Sequence, residues 1–191
     1  MGNFYVNHSV KATNPVAVAN LLRGRQAIVT AAISGWVVVA DEIADTQFTP
    51  VIEQLSQMLS GNLKTYVFAI LNHDDDVLCY DLYLNAAPID SYNSSPRYFD
   101  GTGESGRPEG GKADLLCRAF DSPAIAGVES ILREELVLNE AEKYFFAWQR
   151  HRDLMQALGQ PDASVGFGYK YASQGELPAS RKDTELIFVK P

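Results

Sequence analysis

The sequence predicts an α+β fold. It would hold an antiparallel-rich sheet with two covering helices, followed by a C-terminal helical segment and a final strand. Three observations predict it. Short apolar runs with strand spacing are separated by turn residues throughout residues 4–92. Two helical patterns within that half each open on a polar residue followed by proline, at Asn14-Pro15 and Thr49-Pro50. From Lys112 onward the pattern turns helical. At 191 residues the chain is long enough for one domain with its own core.

Residues 4–10 read as the first strand. Asn14 caps a helix whose apolar face is Val16, Val18, Leu21 and Leu22, and Gly24 ends it. Residues 27–30 and 36–40 are two short strands joined by the turn pair Ser34-Gly35. Thr49 opens the second helix, in which Val51, Ile52, Leu55, Met58 and Leu59 recur at helical spacing up to Gly61. Residues 65–71 are almost continuously apolar, as in a central strand buried on both faces. Residues 77–84 and 88–92 follow as further strands. The first six elements, β-α-β-β-α-β, match the split βαβ arrangement by order.

Residues 93–111 are rich in Gly, Ser and Pro and longer than the usual connection. Helices are expected at 112–120, 123–133 and 139–158, the last stopped by Gly159 and Pro161, and a strand at 185–189. Val137, Ala141, Tyr144, Trp148, His151, Met155 and Leu158 step by fours and threes. That seam suits core packing and, second, a homodimer through the 137–158 helix.

Lys and Arg number 16 against 24 Asp and Glu, a formal net charge of −8. Without a basic cluster, nucleic acid is not an expected partner, and neither is an anionic membrane surface. Cys79 and Cys117 form no disulfide framework, and the N-terminal residues form no secretory leader. A cytoplasmic location is the expectation.

Several strings resemble functional motifs. Gly101–Gly106 spells G-x-G-x-x-G, yet no strand precedes it and no helix opens at it. Gly106–Lys112 spells G-x-x-x-x-G-K and does run into a helix. Ala113 follows, where a P-loop needs a hydroxyl for magnesium, and Pro108 has no amide. His73-Asp74-Asp75-Asp76 carries metal-ligand types, but consecutive turn residues diverge, so a solvated hairpin turn is expected. No zinc, nucleophile-elbow or Cys-x-x-Cys motif is present, so no catalytic residue, cofactor or metal is assigned.

Asp81 shares a strand face with Val77, Cys79 and Tyr83. It lies on a water-facing sheet surface or in a pocket where its pKa rises and it acts as a base; the open surface is the expected case. Ser94, Ser95, Arg97, Tyr98 and Asp100 concentrate hydroxyl, cationic, aromatic and acidic groups where the long loop begins. That makeup suits a recognition surface, or aromatics folded back to pin the loop. These residues and Asp81 are the candidate binding residues.

Three functions stay open. The leading one is a non-enzymatic interaction or regulatory module with an unidentified protein or small-molecule partner. A second is a small-molecule binder or enzyme with its site under the 93–111 loop, Arg97 holding an anion and a carboxylate moving protons. The third is phosphate or nucleotide binding at Gly106–Lys112.

Overall fold

Where each strand pairs decides which side chains meet. A computed structural model of the chain describes residues 2–100, 106–134, 144–160, 164–179 and 185–191. The split βαβ order is present: β1 (Tyr5–Lys11), α1 (Pro15–Leu21), β2 (Ala27–Thr30), β3 (Trp36–Asp41), α2 (Thr49–Leu63) and β4 (Tyr66–His73). A meander of β5 (Val77–Leu84), β6 (Ala87–Asn93) and the two-residue β7 (Glu109–Gly110) extends the sheet beyond β4. Then come α3 (Ala113–Phe120), α4 (Ile125–Arg133), α5 (Ala147–Ala157), the short α6 (Tyr169–Ser173) and β8 (Leu186–Val189). The described strands form one open antiparallel sheet in the order β7-β6-β5-β4-β1-β3-β2-β8. None of the described helices is long and apolar enough to cross a membrane.

Local chemistry explains the boundaries. Asn14 Oδ1 accepts from the amides of Val16 and Ala17, and Pro15 begins α1 with its φ already helical. Asn14→Ala is expected to cost about 1 kcal/mol; a urea midpoint equal to that of the wild type would refute the cap. At α2 the expected cap shifts by one residue. Phe48 occupies the cap position without a side-chain bond, and Thr49 and Pro50 are already helical. Nor does α2 end at Gly61. It continues to Leu63 and closes on Lys64, whose backbone is left-handed. Gly61 lies inside because a Cβ there would sit 3.0 Å from that of Ala86, so the missing side chain lets the β5–β6 hairpin approach. The turns at Ser34-Gly35, Asp74-Asp75 and Asn85-Ala86 have positive φ at both central residues, the geometry whose twist matches a two-residue hairpin.

Alternation divides each strand between two faces. On one face Val6, Val10, Val37, Val39, Val67 and Ala69 pack under Val18 and Leu22 of the α1 segment and Ile52, Leu55 and Leu59 of α2. On the other, Tyr5, Trp36, Phe68, Ile70, Leu78 and Tyr80 pack under α3, α4 and α5. The two covering helices of the α+β reading thus lie on one face, and the C-terminal helical segment covers the other. The sheet is the middle of three layers, because β4 and its neighbours are apolar on both faces.

The long helix is also shorter than expected among the described residues. It starts at Ala147, because Gln149 Oε1 turns back to accept from the amides of Phe145 and Phe146. Residues 135–143, which include Val137 and Ala141 of the seam, lie outside the described residues. Tyr144, His151, Met155 and Leu158 of that seam are all buried in the chain's own core. Trp148, also of that seam, is half-buried.

Candidate functional site

β6 carries the chain to Asn93, and the start of the long loop then folds back rather than away. Ser94 prolongs the pairing: its amide donates to Leu78 O, and its Oγ accepts from Leu78 N. Ser95 is buried and donates its amide to Asn93 Oδ1. One 3₁₀ turn follows, Tyr98–Asp100. Tyr98 donates its hydroxyl to Asp76 at 2.9 Å, and Phe99 meets the His73 ring edge-on at 5.0 Å. Both aromatics thus pin the loop. Phe99 itself remains 61% exposed, as a roof does.

Under that roof is a cavity of about 690 Å³, within the size range of small-molecule sites. Its floor is the α2 face of β4 and β5, with Ala69, Leu71, Cys79 and Asp81. Thr46, Gln47, Thr49 and Ile52 form the wall where a 3₁₀ turn, Ala44–Thr46, leads toward α2. Phe4, His73, Asn93 and Phe99 close one end. The face carrying Asp81 is therefore not an open sheet surface. α2 crosses it and leaves a pocket.

Asp81 stands opposite Ala69 on β4 and Ser91 on β6. Its carboxylate has no hydrogen-bonding or ion-pair partner among the described residues. Burial, then repulsion from Glu53 and Asp90, pushes its pKa up to about 6. Asp45 contrasts with it. Asp45 Oδ1 accepts from Val6 N at 2.9 Å and Oδ2 from Lys170 N at 2.8 Å, while burial raises its pKa. Cys79 is no nucleophile at neutral pH, since burial and then Asp81 push its thiol up to about 12.

The proton on His73 can be placed. Gln47 Nε2 donates to Asn72 O at 2.8 Å, which orients the amide. Gln47 Oε1 is then the atom facing His73 Nδ1, at 2.6 Å, and it can only accept. Nδ1 therefore carries a hydrogen, and the neutral ring keeps a lone pair on Nε2. Phe4, Tyr98 and Phe99 surround this ring with centroids 4.8, 5.7 and 5.0 Å away.

Of the six residues singled out from the sequence, Asp81 lines the cavity and Tyr98 supports its roof. Ser94 and Ser95 serve the backbone. Arg97 borders a separate hollow of about 380 Å³ with Pro96, Gly106, Arg107 and Glu109. Asp100 ends the turn on the exposed side, outside the lining. Sequence reasoning missed Phe4, Gln47, Thr49 and Ile52, which no spacing connects to β5. It took His73 for part of a polar turn, whereas His73 is the last residue of β4.

The other motif-like strings have structural roles. Asp75 accepts from Asn3 and Asn72, and Asp74 from the Gly2 amide, so the acidic turn ties down the N-terminal residues. No group of three or more metal-ligating side chains occurs among the described residues. The Gly111 amide donates to Ser91 O and the Lys112 amide to Asp90 Oδ2, so both are already occupied. Arg133 holds the carbonyls of Gly110 and Gly111. Residues 101–105 of the G-x-G-x-x-G string lie outside the described residues. On the opposite sheet face, His151 bridges the Tyr5 hydroxyl at 2.8 Å and the Ser164 hydroxyl at 3.1 Å, with all three residues buried. No protein-family model, curated protein or solved structure matches this chain.

Proposed function

We propose that this protein is a small-molecule-binding module whose site is the cavity roofed by Phe99. The observation that carries the reading is the cavity itself. It is of ligand size, it is mostly apolar, and it holds a carboxylate and an imidazole nitrogen with no partner among the described residues. A regulatory role in the cytoplasm fits the same site, because a ligand under Phe99 would alter the adjacent exposed residues Arg97 and Asp100, where a protein partner could read it. A homodimer through α5 would rest on Trp148, which is not buried in the chain's own core.

A fragment screen followed by amide chemical-shift mapping tests this. Bound fragments should move the resonances of Ala69, Cys79, Asp81 and Asn93 together. A ligand at a hundredfold its Kd should stabilise the fold by about 2.7 kcal/mol. Phe99→Ala should weaken binding about 3–10-fold, the equivalent of one aromatic contact, and leave stability nearly unchanged. A broad screen in which none of these resonances moves would overturn the reading.

A further inference from the structure

Two polar groups of the cavity offer acceptors that no described residue fills, while the Thr49 hydroxyl and the Asn93 Nδ2 amide in the same lining can donate. Asp81 offers an unpartnered carboxylate, and His73, its Nδ1–H bound to Gln47, keeps the lone pair of Nε2. Among the described residues no Lys or Arg lines the cavity, whereas two carboxylates do. Asp45 already holds two amides, so the unanswered negative charge is that of Asp81. The start of α2 does not reverse this balance. Pro50 lacks an amide, and those of Val51 and Ile52 are bonded to Phe48 O, so the helix end has little to give an anion.

The remaining lining is apolar and aromatic, with Ile52, Leu71, Phe4 and Phe99. Asp81 is half-buried, so water screens its charge only in part, and a ligand that brings the opposite charge is favoured there. Aromatic faces also attract cations. Resting on the small-molecule reading above, we infer that the ligand is a small organic cation, an amine or a guanidinium. Its positive end sits against Asp81, and its apolar body lies along Ile52, Leu71 and Phe99. His73 is about 13 Å further along the same face, four residues at about 3.3 Å each, where it accepts a second donor from a longer ligand.

The groups facing Asp81 fix the pH behaviour. Glu53 on α2 and Asp90 on β6 repel its charge, and Ala69 on β4 carries none. On β5 itself the Cys79 thiol and the Tyr83 phenol, each pushed up to about 12, stay neutral. Asp81 therefore loses its charge as the pH falls through about 6, and cation binding weakens with it. Below that point the affinity should drop by nearly tenfold per pH unit.

The test titrates the full chain, by amide chemical shift, with two sets of compounds matched in skeleton: phenethylamine, 2-phenylethanol and phenylacetate, then pentylamine, pentanol and pentanoate. The amines should bind at least about tenfold more tightly than their neutral and anionic analogues, moving Ala69, Asp81 and Asn93. Asp81→Asn, which keeps the shape and removes the charge, should abolish that preference. A pH series on the unaltered protein probes the same charge without a variant. If neutral compounds bind in the cavity as well as the amines, or if the preference survives Asp81→Asn, the cation assignment fails and the small-molecule reading stands. If no compound of either set moves these resonances, both fall.

Discussion

Acidification from about pH 7 to about 4.5 is expected to withdraw about 5 kcal/mol of stability through two buried histidines alone. His8 and His151 are fully buried. Burial lowers their pKa from the ordinary 6.5 to about 4 and about 3. The sign follows from which state takes the proton. Below 6.5 the unfolded chain protonates both rings and the folded chain does not, so stability is fully present above 6.5 and is lost as the pH falls toward the folded values. Each ring contributes about 1.4 kcal/mol per pH unit.

The geometry at His8 gives the reason. Its Nε2 donates to Ile52 O at 3.3 Å, which leaves a bare, buried Nδ1 with no acceptor for a second hydrogen. His151 sits between two buried hydroxyls, and burial alone disfavours its charge. Asp81 and Asp45 act in the opposite sense. Their raised pKa values mean that the folded state takes their protons first, which offsets part of the loss. Urea unfolding at stepped pH measures the balance. Stability should decline steadily below 6.5, and in His8→Leu the histidine-driven slope should halve. A His8→Leu slope equal to that of the unaltered protein would mean that the folded state takes up the His8 proton as readily as the unfolded chain.

The second large effect concerns the face of the sheet covered by α3, α4 and α5. Phe68→Ala is expected to destabilise the fold by about 3–5 kcal/mol, the range for emptying a buried aromatic site. Phe68 is fully buried on β4, 5.0 Å from the Tyr80 ring and 5.4 Å edge-on to Phe120 of α3. Phe120 in turn stacks on Trp36 at 4.1 Å. These rings join α3 to the middle of the sheet, so the cavity left by the alanine has rigid walls and collapses poorly. Guanidinium unfolding would show the loss. A cost under about 1 kcal/mol would mean that this face is not close-packed.

Much of this fold was legible because its signals are local. The bounds of β2 and β5 follow from apolar runs with turn residues beside them, and so do the turns at Ser34-Gly35 and Asp74-Asp75, whereas Ala86 of the Asn85-Ala86 turn carries no such signal. Asn14 caps α1 through bonds two and three residues away. Interactions across long separations were not legible. The start of α5 depends on Gln149, whose role emerges only once Phe145 and Phe146 are extended before it. The double coverage of the sheet was implied by the apolar run of residues 65–71, yet nothing local says which helices take which face.

The candidate site divides in the same way. Alternation placed Asp81 on one face with Cys79, but its desolvation comes from α2, which crosses that face. The tautomer of His73 depends on Gln47, 26 residues away. The glycine string ending at Lys112 was legible as letters. What disposes of its amides is a carbonyl and a carboxylate about 20 residues earlier, at Ser91 and Asp90.

Diffraction from crystals grown with phenethylamine tests the central claim most directly. The structure predicts density between α2 and β5 beneath Phe99, with the ligand nitrogen at hydrogen-bond distance from the Asp81 carboxylate. A closed space in which Ile52 packs against Cys79, or phenethylamine bound at another surface with this cavity empty, would contradict it.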